Sequence, residues 1–275
     1  LPLYGMEDVL PTISQMMTVP YNMKHTVCEG VSLTFLDAGH ILGSAMIVLE
    51  LEENGNKKTL TFTGDLGRKG LPILKDPSYI DKTDILITES TYGNRFHKFI
   101  DDVDEYLEEL LKKAIARGGK IIIPAFALER TQEVVYYTHL LIKSGRIPKI
   151  PIYVDSPLAT NVTDVFRAHP ECFDKEVYDE FFKNNKNPFG FGMLKYTNSV
   201  QESKNLNNIH GPMIIISASG MCEFGRVLHH LNNNLSDPKN LVLIVGYQAQ
   251  NTLGRKLVNG DKSVKIFGEM VDVKA

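Results

Sequence analysis

The chain has 275 residues, 43% hydrophobic and 23% charged, with a formal net charge of −3. This composition is ordinary for a globular protein, and the length allows one large domain or two interleaved ones with a sizeable core. Because there is no global excess of basic residues, any site for phosphate or nucleic acid has to be local.

The cysteines and the chain ends predict the setting of the protein. Cys28, Cys172 and Cys222 have no paired spacing, which favours a reducing, cytoplasmic setting over a disulfide framework or a cysteine zinc site. No apolar run is long enough to span a membrane and no signal peptide is visible, so no membrane partner is expected. Leu1 is not an initiator Met and residues 271–275 read as a strand, which predicts a fragment of a longer protein.

Residues 1–93 read mainly as β structure, after a short helix at 7–17 that Pro11 restricts to its first turns. Strands are predicted at 31–36, 45–51, 59–62 and 84–88. The dipeptide Asn54-Gly55 between two of these runs is typical of a tight hairpin turn.

From residue 94 to residue 260, predicted strands alternate with helices. Strands are expected at 120–123, 150–154, 212–216 and 241–245, and helices at 101–117, 130–143, 157–168 and after the last two strands. Ser199 and Glu202 have the spacing of a capping box for another helix. Unbroken apolar strands separated by helices indicate an α/β fold whose parallel sheet is covered by helices on both faces.

Two further features complete the organisation. Lys183–Gly192, rich in Asn, Phe and Gly, is predicted to be a mobile loop. Residues 264–267 return to a β pattern, so the chain reads as a β-rich part at 1–93, an α/β insert at 94–260 and a return to the β-rich part at 261–275.

Three polar motifs follow predicted strands of the β-rich part. His40 follows the strand at 31–36, Asp65 follows 59–62, and Glu89 follows 84–88. Strand ends that meet at one edge of a sheet can bring an imidazole and two carboxylates into one site, and these groups serve as metal ligands or as acids and bases. The alternative is structural, because a strand-end His is often a hydrogen-bonded residue and an Asp near Gly is often a turn residue.

Four loops of the insert follow its parallel strands, where the ligand crevice of open α/β sheets lies. They cover residues 124–130, 155–159, 217–221 and 246–250, and Arg130, Arg226 and Arg255 stand in or near the helices that follow three of them. Serines, glycines and helix N-termini beside arginines suit phosphate or another anion. The alternative is that the serines cap helices and the arginines are solvated.

Six ordered motifs carry a family resemblance that spans nearly the whole chain. They are Asp-Ala-Gly-His-Ile-Leu-Gly-Ser-Ala (37–45), Phe-Thr-Gly-Asp-Leu-Gly-Arg (62–68), Glu-Ser-Thr-Tyr-Gly (89–93), Pro-Ala-Phe-Ala-Leu-Glu-Arg-Thr-Gln-Glu (124–133), Ser-Ala-Ser-Gly-Met (217–221) and Gly-Tyr-Gln-Ala-Gln…Thr-Leu-Gly-Arg (246–255). They closely resemble metallo-β-lactamase-fold nucleases with a β-CASP insert. This RNA-processing branch includes bacterial and archaeal nucleases and the nuclease subunit of the cleavage and polyadenylation specificity factor.

The resemblance implies a fold and an activity. The fold would be a partial metallo-β-lactamase αββα sandwich, residues 1–93 and 261–275, with a β-CASP domain inserted at 94–260. The activity would be zinc-dependent hydrolysis of RNA, endonucleolytic or 5′-exonucleolytic, in RNA processing or decay. RNA is the expected partner, and a homodimer or a processing-complex partner is left open.

The resemblance also implies roles for particular residues. His40 would ligate one of two zinc ions and Asp65 would bridge both. Glu89 would orient a downstream His that protonates the leaving group. Phosphates of the RNA would be positioned by four residues of the insert: Arg130, Ser156, Ser217 and Ser219.

The chain departs from the family pattern in its histidines. The family's His-x-His-x-Asp-His signature, which lies upstream of the segment that starts here at Leu1, is absent from these 275 residues, as are the later β-CASP histidine motifs. The remaining histidines match no metal motif: His25, His97, His139, His169, His210, His229 and His230. The fragment alone is therefore expected to bind zinc weakly or not at all and to be inactive. Two alternatives remain, a non-catalytic RNA-binding or scaffold homologue and a nuclease that acts on DNA.

Overall fold

The computed structural model describes residues 2–94, 103–183 and 187–275, without the side chains of residues 182 and 183. The chain divides into two compact units, which are residues 1–71 with 75–95, and residues 72–74 with 96–275. We call them unit 1 and unit 2. His97, the first two residues of the helix predicted at 101–117, and residues 184–186 of the predicted mobile loop lie outside the described residues.

Unit 1 is built around one five-stranded sheet. A 3₁₀ turn at Met6–Asp8 and a short helix precede its strands, which confirms the helix predicted at 7–17. The helix is α1 (Val9–Ser14), and the strands are β1 (Lys24–Cys28), β2 (Val31–Asp37), β3 (Ala45–Glu53), β4 (Asn56–Phe62) and β5 (Ile85–Ile87). Their order in the sheet is β1-β2-β3-β4-β5, antiparallel except for the parallel pair β4–β5. Strand β1 was not predicted from the sequence.

The hairpin between β3 and β4 is confirmed. Glu53 pairs with Asn56, so that Asn54 and Gly55 form a two-residue turn. Their φ angles are 50° and 77°, and a turn with φ > 0 at both positions matches the right-handed twist of the strands. The Asn-Gly dipeptide therefore sets the register of β3 against β4.

The sheet of unit 1 is only partly buried. Strand β2 is half-buried along its whole length, and Met46 of β3 is one of its few fully buried residues, at 1% exposure. Strand β5 exposes all three of its apolar residues, by 47–55%. Unit 1 therefore has little fully buried apolar surface of its own.

Unit 2 alternates helices and strands. The helices are α2 (Val103–Ala116), α3 (Arg130–Lys143), α4 (Pro157–Ala168), α5 (Lys175–Lys183), α6 (Val200–Asn205), α7 (Arg226–Asn234) and α8 (Leu253–Val258). The strands are β6 (Lys120–Pro124), β7 (Ile152–Val154), β8 (Leu194–Tyr196), β9 (Met213–Ser217), β10 (Leu241–Val242), β11 (Ser263–Ile266) and β12 (Glu269–Asp272). The capping box at α6 is confirmed, because Glu202 N donates to Ser199 Oγ (3.1 Å) and Ser199 N donates to Glu202 Oε2 (3.1 Å).

Five strands of unit 2 form a parallel sheet in the order β10-β6-β9-β7-β8. All residues of β7 and β9, and all but the first of β6, are buried. Because successive side chains of a strand point to opposite faces, both faces of this sheet are covered. This confirms the predicted α/β class.

Three features of unit 2 differ from the sequence reading. Helix α5 and strand β8 were not predicted. Strand β10 has two residues rather than the predicted five, since it lies at the edge of the sheet and pairs only with β6.

The antiparallel hairpin β11–β12 packs in the core of unit 2, where Val264 and Ile266 are 2% exposed. Its assignment to the metallo-β-lactamase part, like the other domain boundaries, stays a prediction.

Within the part of the chain that the structure describes, no helix has both the length and the apolar character needed to cross a membrane.

Candidate functional site

Three predicted site residues lie just beyond strands of unit 1. His40 follows β2 and Asp65 follows β4, each by three residues, and Glu89 follows β5 by two. These strands run in the same direction, since β2 and β4 are both antiparallel to β3 and β5 is parallel to β4. His40 Nε2 lies 4.0 Å from Asp65 Oδ2, and the two side chains are 41% and 76% exposed. The structure therefore brings this imidazole and this carboxylate together at a solvent-accessible edge.

Side chains fix the backbone of the turn that carries His40. Ser44 Oγ accepts hydrogen bonds from His40 N (3.1 Å) and Ile41 N (3.2 Å), and Asp37 Oδ1 accepts one from Gly39 N (2.8 Å). Burial raises the pKa of Asp37, partly offset by the Gly39 N–H and the charge of Lys75. These bonds hold the turn that presents the imidazole.

The turns that carry His40 and Asp65 are in direct contact. Gly67 N donates to Ala38 O (2.9 Å). A Cβ on Gly67 would lie 1.7 Å from Gly39 O and 2.7 Å from His40 N, closer than any real contact. Only glycine at position 67 permits this approach.

Glu89 holds the backbone next to Asp65. Its carboxylate accepts hydrogen bonds from Leu66 N (3.1 Å) and Thr91 N (3.4 Å). The Thr91 hydroxyl and then the Leu66 N–H lower the pKa of Glu89, with a smaller contribution from His40, while burial opposes them. Glu89 is therefore an ionised carboxylate that positions the turn after Asp65. Its predicted action on a downstream His stays a prediction.

The distance between His40 and Asp65 fits two ligands of one metal ion. Zinc accepts imidazole nitrogen and carboxylate oxygen at about 2.0–2.2 Å, so two ligand atoms on one tetrahedral ion lie about 3.4 Å apart. The observed 4.0 Å between these exposed side chains would close to that distance after a small side-chain rotation. A tetrahedral zinc ion needs four ligands. Among the described residues, no group of three or more His, Cys, Asp and Glu side chains is placed to hold a metal. The pair thus fits as part of a metal site.

The strand ends of unit 2 contain a buried network around Asp155, which follows β7. Its carboxylate is fully buried and accepts hydrogen bonds from Ser203 Oγ (2.5 Å), Arg226 Nη1 (2.7 Å), His230 Nε2 (2.6 Å) and the Thr197 hydroxyl. Burial by itself raises the pKa of Asp155, but these donors, His230 first, together hold it well below its usual range. Asp155 therefore links the segment after β8 with helices α6 and α7.

The serines predicted to bind phosphate are buried and have structural partners. Ser156 Oγ caps α4 by accepting from Ala159 N (3.2 Å), and Ser217 Oγ donates to Asp155 O (2.8 Å). Ser219 Oγ accepts from Glu223 N (3.2 Å) and Phe224 N (3.3 Å). Their exposure is 6%, 1% and 5% respectively. The cap at Ser156 is the structural alternative that the sequence left open, and the phosphate roles stay predictions.

The three arginines of these loops differ in exposure and partners. The Arg130 side chain is 41% exposed and pairs with Glu133 of its own helix. Arg226 is only 18% exposed and is engaged by Asp155. Arg255 donates to Gln248 O, and its guanidinium lies 5.6 Å from the centre of the Tyr247 ring. Among them, Arg130 and Arg255 remain candidates for contact with an external anion.

Strained backbone marks the same edge of the sheet. Glu129, Cys222 and Asn251 have φ angles of 68°, 62° and 69°. Such left-handed conformations are costly for most residues other than glycine, although less so for Asn, and they cluster at ligand sites. They lie in the loops that follow β6, β9 and β10, which agrees with the predicted ligand edge.

Sequence reasoning missed the roles of Asp155 and His230. His230 was read as an ordinary helix residue, yet it is 1% exposed and bonded to Asp155. The available signal was Asp155 itself, a carboxylate directly after a fully apolar strand, which must find partners when buried. Nothing in the local sequence indicated which residues those partners were.

Comparison with known proteins agrees with this architecture. The Beta-Casp domain family matches residues 131–257. The chain is 39% identical over 277 residues to "Ribonuclease TTHA0252" of Thermus thermophilus, an alignment that covers 100% of this chain and 62% of that protein. It is 34% identical over 274 residues to "RNase J-like protein" of Methanocaldococcus jannaschii, which covers 98% of this chain and 62% of that protein. It is 32% identical over 273 residues to "Transcription termination factor FttA" of Thermococcus kodakarensis, covering 98% of the chain and 41% of that protein.

The similarity to these relatives extends over almost the whole chain, although the chain spans less than two thirds of their length. It includes the strand-end turns of unit 1 as well as the parallel sheet of unit 2. The chain belongs to the β-CASP metallo-β-lactamase family.

Proposed function

We propose that the whole protein is a zinc-dependent ribonuclease that hydrolyses phosphodiester bonds in RNA processing or decay. The observation that carries the proposal is the pair His40 and Asp65, 4.0 Å apart at an exposed edge. Relatives named ribonuclease and RNase J-like protein support RNA as the substrate. The cytoplasm is the proposed location, since the cysteines suit a reducing compartment.

The residues of this chain would hold and orient the reaction centre. His40 would bind through a ring nitrogen and Asp65 through its carboxylate, both already free of crowding on the solvent side. Two bound zinc ions would supply a water of lowered pKa as the nucleophile. Glu89 would keep the turn after Asp65 in place through its bond to Leu66 N (3.1 Å).

Arg130 is the first candidate for contact with RNA phosphates. Its side chain is 41% exposed at the start of α3, and the charged fork of a guanidinium suits a pair of phosphate oxygens. Ser156, Ser217 and Ser219 are nearly buried, so a phosphate would reach them only after a shift of their loops. We therefore expect these serines to contribute less than Arg130 to the binding of RNA phosphates.

The test is Asp65→Ala in the whole protein. We expect loss of zinc and of cleavage of a labelled RNA without unfolding, since the Asp65 side chain is 76% exposed. The matched control is Asp81→Ala, another exposed carboxylate of unit 1, which should keep both properties. Normal turnover by Asp65→Ala with full zinc content would contradict the assignment.

The same assay separates the alternatives. A wild-type protein that binds RNA but neither binds zinc nor cleaves would be a non-catalytic RNA-binding homologue. A preference for DNA of the same sequence would indicate a DNA-directed nuclease. Transcription termination is a second candidate function, supported by the FttA relatives that match nearly all of this chain. Its measurement is the release of RNA from stalled elongation complexes.

A further inference from the structure

Each of three neighbouring strand-end loops of unit 2 exposes an aromatic ring. Phe126 follows β6 and is 47% exposed, Phe224 follows β9 and is 70% exposed, and Tyr247 follows β10 and is 46% exposed. Strand β6 pairs with both β9 and β10, so these loops are adjacent. We call the three residues the aromatic edge. Single exposed rings are common, but a group at the ligand side of a parallel sheet is a candidate binding surface.

The backbone around Gly220 ties the three loops together. A Cβ on Gly220 would lie 3.0 Å from the ring of Phe126. Gln248 Nε2 donates to Gly220 O (2.9 Å) and to Tyr247 O (3.0 Å). Ser219 N donates to Phe224 O (3.0 Å). These hydrogen bonds hold the aromatic edge in place before a ligand binds. The protein therefore loses little conformational entropy when it binds the ligand.

Positive charge accompanies the rings. The Arg255 guanidinium lies 5.6 Å from the centre of the Tyr247 ring, in the range of a cation–π contact. Arg130, which begins the helix after the Phe126 loop, is 41% exposed. Aromatic rings can stack against flat bases, and arginines beside them can contact phosphates. A nucleic acid strand with unpaired bases offers both kinds of group.

We propose that the aromatic edge is a stacking platform for unpaired bases of single-stranded RNA. The inference rests on the proposed function, in which RNA is the substrate. Every base has a π-face, so such a platform binds many sequences. Bases inside a duplex are already stacked, so the platform favours single strands.

The test compares two RNAs of equal length on the metal-loaded whole protein. One is a single-stranded oligonucleotide and the other is its abasic counterpart, both with phosphorothioate linkages that retain the charge and resist cleavage. Phe224→Ala and Tyr247→Ala should each weaken binding of the base-containing RNA about 5- to 150-fold. Both variants should bind the abasic RNA as the wild type does. Tyr247→Phe keeps the ring and should restore wild-type binding.

The matched control is Phe267→Ala, which removes a ring of 57% exposure in the turn between β11 and β12 and should leave binding unchanged. The slope of affinity against salt should also stay at the wild-type value in Phe224→Ala, because stacking neutralises no phosphate.

Several results would overturn the inference. Equal weakening of both RNAs would show a loss of structure or charge contacts rather than of stacking. Unchanged RNA affinity in Phe224→Ala and Tyr247→Ala would show that these rings do not bind bases, and the aromatic edge would then be a surface for a protein partner. If the wild type cleaves RNA but binds the two oligonucleotides equally, the inference fails and the proposed function stands. If the wild type neither binds nor cleaves RNA, both fail.

Discussion

The contact between Gly67 and Gly39 allows a quantitative test of the candidate metal site. In Gly67→Ala the new Cβ would lie 1.7 Å from Gly39 O, whereas non-bonded atoms prefer about 3.5 Å. The two turns would therefore have to separate by about 1.8 Å. His40 Nε2 and Asp65 Oδ2 are already 4.0 Å apart, longer than the distance of about 3.4 Å between two ligand atoms of one tetrahedral zinc ion. Such a separation would remove one of them from a shared ion.

The expected result in the whole protein is reduced zinc content and a drop in RNA cleavage of about 10²-fold, the cost typical of a misplacement of about 1 Å. Zinc is measured by metal analysis and cleavage with a labelled RNA. Gly70→Asn is the matched control, because a Cβ at Gly70 meets no atom within 4 Å and its φ of 73° is one that Asn tolerates. Wild-type zinc content and cleavage rate in Gly67→Ala would refute the reasoning.

The remaining predictions concern unit 2. Asp155→Ala should destabilise unit 2 by about 3–5 kcal/mol in urea unfolding, because it leaves Arg226 and His230 without their buried acceptor; a loss below about 1 kcal/mol would contradict this. Because the folded-state pKa of Asp155 is depressed, the contribution of Asp155 to the free energy of unfolding should be complete above its ordinary pKa of about 4 and should fall as the pH drops below that value. The variant Asp155→Asn should flatten this acid dependence. Arg130→Ala should weaken RNA binding and reduce the salt slope by about one unit or less, since Glu133 already pairs with this guanidinium; an unchanged slope would count against a phosphate contact.

Much of the fold followed from local patterns. The Asn54-Gly55 turn, the Ser199 and Glu202 capping box and the apolar strands of unit 2 are read from neighbouring residues, because turn geometry, caps and side-chain alternation are local properties. The closeness of His40 and Asp65 was also predictable, since both residues follow strands that end at one edge.

Other features depended on residues far apart in the chain. Strand β8 and the packing of the β11–β12 hairpin carry no distinctive local pattern and depend on the core that covers them. From the sequence, the serines of unit 2 could be helix caps or phosphate ligands, and only the hydrogen bond from Ala159 N showed that Ser156 caps α4.

The sequence by itself determined the α/β class, the strand-end positions of the candidate ligands and the family resemblance. Tertiary structure decided the partners of Asp155, because its donors lie between 42 and 75 positions away, and the need for glycine at position 67, which arises only where two turns meet. A local pattern records which side of its own element a residue occupies. It does not record which distant group approaches that side, and a buried charge or a close backbone contact depends on that group.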